Sequence, residues 1–97
     1  MRSGEISERE EIFLRKEKSS RLGRMYLELM LNKKESETII GKIDVITEIL
    51  RNRPYRERAA VYRSIKAKSF RAKRKGFEKL MGRYYEIAEE FYGHIVD

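Results

Sequence analysis

Cysteine, tryptophan and glutamine are absent from the 97 residues, proline and histidine occur once each, and asparagine only at positions 32 and 52. Without cysteine there is no disulfide framework and no thiolate site for zinc or an iron–sulfur cluster. A single histidine leaves too few ligands for a structural zinc site, so neither metal nor cofactor is expected. The longest unbroken apolar run is Ala59 to Tyr62, far short of the roughly 20 residues that span a bilayer. Residues 1–11, MRSGEISEREE, contain no apolar signal core. A soluble, cytoplasmic protein without membrane attachment is the expectation.

Strands lack a signal as well. One proline, scattered glycines and no alternating β-branched runs predict an all-α protein, a bundle of three to four helices in a single domain. At this length the core is modest, which favours self-association into a homodimer. What the chain has in excess is charge: 40% of its residues are Asp, Glu, Lys or Arg, well above the usual quarter and thermophile-like in character.

The net charge of +7 is unevenly placed. Residues 1–50 carry ten basic and ten acidic side chains, residues 51–83 thirteen basic against Glu57 and Glu78, and residues 84–97 four acids and no Lys or Arg. The whole excess therefore belongs to one third of the chain. A local field of one sign binds and steers polyanions.

Along the chain, SERE at 7–10 offers a capping box in which Ser7 accepts a backbone N–H and Glu10 reaches back. The predicted first helix runs from there to Leu31, with Leu14, Leu22, Met25, Leu29 and Met30 as its apolar stripe. Glu11/Arg15 and Glu17/Arg21 pair at i,i+4 on its outer face. NKKES, 32–36, reads as a turn with Ser36 as N-cap and Glu35 and Glu37 at the positive end of the next dipole. A second helix, 38–51, turns Ile39, Ile43, Ile46 and Leu50 inward. Asn52, which tolerates a left-handed conformation, and Pro54, which cannot continue the helix but suits the first turn of a new one, separate the two. Residues 1–50 thus form a charge-balanced hairpin.

Beyond Pro54 two readings stand. In one, a single long helix carries Phe70, Phe77, Tyr84 and Phe91 at seven-residue intervals, and Leu80, Met81, Ile87, Ala88 and Ile95 widen this core or dimer seam over 77–96. In the other, AKS is a break, Ser69 caps a new helix, and Gly76 or Gly82 interrupts again. The second reading permits a helix-turn-helix-like core from helices 38–51, 54–66 and one after Ser69. Its faults are a turn without glycine and basic residues where that motif wants apolar ones. The first permits two chains to pair along the seam and present basic arms, a zipper-like logic.

Between Ser64 and Phe77, SIKAKSFRAKRKGF holds six basic residues and no acid. Burying it would strand several charges, so it faces water or a polyanion. Nucleic-acid contact is expected from Arg51, Arg53, Arg56, Arg58 and Arg63 around Pro54, and from Lys66, Lys68, Arg71, Lys73, Arg74, Lys75 and Lys79 beyond. Counterion release would supply the affinity. Arg71 and Arg74 are the candidates for base contact, and Tyr55, Tyr62 and Tyr85 for base stacking. DNA is favoured over RNA because the signal is a basic helix without a convincing stacking platform, the seven-residue spacing assigning the other rings to the seam. A small transcriptional regulator or architectural protein is the corresponding role.

The rival readings are an RNA-binding protein, an inhibitor or antitoxin-like module docked on an acidic protein, and an inert solvated face. Catalysis has little to build on. His94 shares a helix face with Glu86 and Glu90, but near a C-terminus this favours the dipole and an ion pair. No nucleophile and base pair by spacing, and no phosphate loop occurs. A bundle enzyme for an anionic metabolite would need Arg and Glu to converge inside the bundle.

Overall fold

The computed structural model describes residues 7–32 and 37–97. Five α-helices account for most of them: α1 Glu8–Lys16, α2 Ser19–Leu31, α3 Glu37–Arg51, α4 Tyr55–Arg74 and α5 Glu78–Phe91, followed by a π-helical turn, Tyr92–Val96. Among the described residues there is no strand and no helix long and apolar enough to cross a membrane. The chain divides into two compact units, 1–53 and 54–97, three residues from the charge boundary at 50/51. The turn expected at NKKES, with Ser36 as N-cap and Glu35 beside it, lies outside the described residues, as does the side chain of Glu37.

In the first unit Ser7 caps α1 as expected, its Oγ accepting the Glu10 N–H at 3.2 Å. Glu10 does not complete a capping box but turns to Lys42 of α3, 3.5 Å away. The pairs Glu11–Arg15 (3.7 Å) and Glu17–Arg21 (3.4 Å) both form. The single helix expected over 7–31 is instead two, because the backbone is extended at Glu17 and Lys18 (ψ 153° and 148°).

Arg53 supplies the reason. From beyond the end of α3 its guanidinium donates to the Arg15 carbonyl (3.0 Å), the Glu17 carbonyl (2.8 Å) and Ser19 Oγ (3.2 Å). Carbonyls at a helix C-terminus have no intrahelical partner, and a fixed cation with several donors satisfies them and complements the dipole. Arg53, expected on a phosphate, is thus a structural clamp at the α1–α2 break. Replacing it by Ala is expected to cost about 2 kcal/mol in denaturant unfolding, the range for a lost hydrogen bond to a charged group. An unchanged midpoint would refute the clamp.

The α2–α3 interface also differs from expectation in its rotation. Leu22, Ile46 and Leu50 are fully buried, but Val45 and Ile49 are buried beside them, whereas Ile39, Ile43, Met25 and Leu29 are only half-buried. Tyr26 and Leu27 join the core from α2. Asn52 is not left-handed, since no described non-glycine residue has positive φ. Its amide donates to the Glu48 carbonyl at 2.9 Å, as Asn32 does to Glu28 at the end of α2.

In the second unit Pro54 is the N-cap rather than a first-turn residue, and α4 runs uninterrupted through Ser69 for 20 residues. Ser69 caps nothing. It is buried, and its hydroxyl donates to the Met81 carbonyl of α5 at 3.1 Å. The break comes at Gly76, the one described residue with positive φ (81°). The Phe77 N–H bonds the Ala72 carbonyl (2.9 Å) and the Gly76 N–H bonds the Lys73 carbonyl (3.0 Å), the two bonds of a Schellman end. Gly76→Ala has open space for its Cβ, so its expected cost is backbone strain alone, about 1–2 kcal/mol. A Tm unmoved by that substitution would mean the turn relaxes.

The Gly76 turn folds α5 back along α4. The bonds joining Ser69 to Met81, Tyr62 to Glu89 and Arg58 to Ile95 run in opposite order along the two elements, so the hairpin is antiparallel. Val61, Ile65, Ser69 and Ala72 of α4 are buried, as are Ile87, Ala88 and Phe91 of α5 and Ile95 and Val96 of the π turn. Small Ser69, Ala72 and Ala88 let the backbones approach closely.

This turn corrects both earlier readings of the region. A tri-helical helix-turn-helix core needs a break at Ser69, where α4 is continuous. A continuous zipper helix needs none at Gly76, where the chain reverses. The seven-residue recurrence of Phe70, Phe77, Tyr84 and Phe91 straddles the reversal and marks no common face. Phe91 is fully buried, Tyr84 and Met81 are half-buried, and Phe70, Phe77 and Leu80 are exposed.

Candidate nucleic-acid interface

With Val61, Ile65, Ser69 and Ala72 turned inward, the opposite side of α4 is set by the 3.6-residue period. Arg56, Ala60, Arg63, Ala67, Phe70, Arg71 and Arg74 follow one another along this side, and all are exposed. The stripe extends about 27 Å at 1.5 Å per residue. Arg56, Arg63, Arg71, Lys73 and Arg74 form no ion pair with any described residue. Ala60 and Ala67 keep the surface low between them.

The other basic candidates divide differently. Arg58 turns in, Nη1 donating to the Ile95 carbonyl at 2.9 Å while its Nε is buried without a partner, and its guanidinium lies 5.7 Å from the Tyr55 ring centroid. Lys66 donates to Tyr62 Oη (3.0 Å) and stands 3.9 Å from Glu89, over the rings of Tyr62 and Tyr85. Its pKa is raised above the ordinary lysine value, first by the Tyr62 hydrogen bond, so it remains a cation across the neutral range. Arg58 and Lys66 therefore hold the hairpin together. Arg51 is exposed on α3 of the first unit, lining an open depression with Asp44 and Glu48, where acids offset its charge. Lys68 is half-buried; Lys75, at the end of α4, and Lys79, in the first turn of α5, are exposed and continue the positive field past the turn.

Of the expected stackers, Tyr62 is engaged: its ring packs on Tyr92 (centroids 5.1 Å apart, 58° between planes), and its hydroxyl donates to Glu89 at 3.4 Å. Tyr55 and Tyr85 are exposed, each with a cation over its ring. The ring that stands within the arginine stripe is Phe70, 55% exposed, and Phe77 is equally open at the turn. Sequence reasoning assigned both to the seam. The signal that separates them is one turn away: Phe70 has Lys66, Ala67, Lys73 and Arg74 at i±3 and i±4, whereas a seam residue has apolar neighbours there.

Of Glu86, Glu89 and Glu90 on α5, Glu89 is brought to α4, where it meets Lys66 and Tyr62. His94 is exposed, and no three metal-ligating side chains converge among the described residues. Comparison with protein-family models, with curated proteins and with solved structures returned no match, so the reading of this surface rests on its own residues.

Proposed function

We propose that this protein binds nucleic acid through the outer stripe of α4. The observation that carries the reading is the set of exposed arginines on one face, Arg56, Arg63, Arg71 and Arg74, without an ion pair among the described residues. Residues 1–50, by contrast, carry as many acids as basic side chains, some of them paired, as at Glu11–Arg15 and Glu17–Arg21. Like charges held together on a rigid helix raise the local potential and repel one another. That arrangement is relieved by a polyanion whose condensed counterions are released on contact.

Arg63 and Arg71 lie about 12 Å apart along the axis at helical rise, a spacing at which each can take a different phosphate. A small regulator or architectural protein is the role such a surface suits. The preference for DNA rests on the want of a convincing stacking platform on the basic helix. Phe70 is an exposed ring there, and the reading therefore extends to single strands and to RNA.

The test is a titration of the purified protein against duplex DNA, single-stranded DNA and duplex RNA of equal length at two salt concentrations. Binding that falls steeply with log salt supports it. Absence of binding to all three near physiological salt would sink it, and an acidic protein partner would become the reading to pursue.

A further inference from the structure

Phe70, Ala67, Arg71, Lys73 and Arg74 line one open depression near the end of α4. Helical side chains lean toward the N-terminus, so Phe70 leans over Ala67, and Arg74, one turn on, leans back toward Phe70. Alanine in the preceding turn leaves one face of the phenyl ring uncovered, while Arg71, Lys73 and Arg74 surround it with cations that pair with no acid among the described residues. A phenyl ring exposed to water among three cations offers an apolar plane and a positive rim. The chemistry complementary to both at once is a flat, apolar face carried on a phosphate chain.

From this we infer that the ligand of this surface is a nucleic acid with unpaired bases, one of which stacks on Phe70 while Arg71, Lys73 and Arg74 hold the flanking phosphates. The inference rests on the nucleic-acid reading above and narrows it. In an intact duplex the bases offer edges, of which a phenyl ring can meet only the thymine methyl; in a single strand every base offers a π-face. An anionic bilayer shares the charge but takes up apolar residues as a continuous face, whereas here Phe70 stands among Arg71, Lys73 and Arg74, and the exposed Phe77 and Leu80 lie beyond the turn.

The chain has no tryptophan, so F70W introduces a single indole fluorophore at the site. The experiment titrates wild type, F70W and F70A with a 20-nucleotide oligo-dT, a duplex of the same length and phosphatidylserine vesicles, with circular dichroism verifying that both variants fold. Tighter binding of oligo-dT than duplex is expected, with quenching of the indole fluorescence of F70W by oligo-dT. A loss of about 5- to 100-fold for oligo-dT in F70A is expected, the range one stacked base contributes. Equal binding of both polymers with F70A unaffected would overturn stacking and leave the nucleic-acid reading standing. Tighter, Phe70-dependent binding of duplex would make the ring a wedge between paired bases and overturn the assignment to single strands. Vesicle binding lost in F70A, with no difference between the polymers, would replace the ligand by a membrane surface. Failure to bind any polymer would bring down the underlying reading itself.

Discussion

Simultaneous replacement of Arg56, Arg63, Arg71 and Arg74 by alanine is expected to abolish most polyanion binding while leaving the fold intact. Each phosphate contact contributes about 0.7–0.9 to the slope of log K against log salt, so four contacts account for about 3 units of slope and a loss on the order of 10³-fold at 0.1 M salt. The loss should shrink as salt approaches 1 M, which separates counterion release from a contact defect of another origin. Stability should move by no more than about 0.5 kcal/mol per position, because the four side chains are exposed, form no ion pair with a described residue and stand on a helix that alanine favours. An unaltered salt slope would remove the stripe as the binding surface. A collapse of thermal stability would show that it is structural.

Phe91→Ala is expected to be the most damaging single truncation in the second unit. Phe91 is fully buried and among the largest such side chains of the protein, and phenylalanine truncations in cores cost about 3–5 kcal/mol. Phe77→Ala makes the control. The heptad-like spacing treats the two rings alike, yet Phe77 is 55% exposed, and a surface truncation should stay within about 0.5 kcal/mol. Denaturant unfolding of the two variants decides between the spacing and the hairpin: similar large losses would restore a common seam, and a loss confined to Phe91 excludes it. The same comparison bears on oligomerisation. Ile87, Ala88, Phe91 and Ile95 are buried within the chain, so a homodimer seam could draw only on exposed residues such as Phe70, Phe77 and Leu80.

Much of the helical content was legible because it is local. Ser7 as a cap, the pairs Glu11–Arg15 and Glu17–Arg21 and the stop before Pro54 depend on residues close in sequence, and each formed. The concentration of positive charge beyond residue 50 is a property of composition and needed no fold to be seen. Two features escaped because they depend on partners distant in sequence. The break between α1 and α2 is held by Arg53, more than thirty residues away. The reversal at Gly76 depends on a glycine that composition marks only as one candidate of several, and on the packing of α5 against α4 that makes the reversal favourable.

The candidate surface shows the same division at the level of single residues. Twelve basic side chains were candidates on the sequence, with Arg71 and Arg74 singled out for base contact, since charge and helical period alone cannot say which of them point at carbonyls. Tertiary contacts withdrew Arg53, Arg58 and Lys66 into clamps and left the arginines of the outer stripe without an ion pair among the described residues, while Arg51 lies beside Asp44 and Glu48 of its own helix. By itself the sequence determined an all-α chain, its basic third and the helical period that sorts residues into faces, because propensity, charge and periodicity act over a few residues. Only the tertiary structure decided which face of α4 is outward, because that depends on where α5 returns. With the return at Gly76, Ser69 is buried and Phe70 left in water.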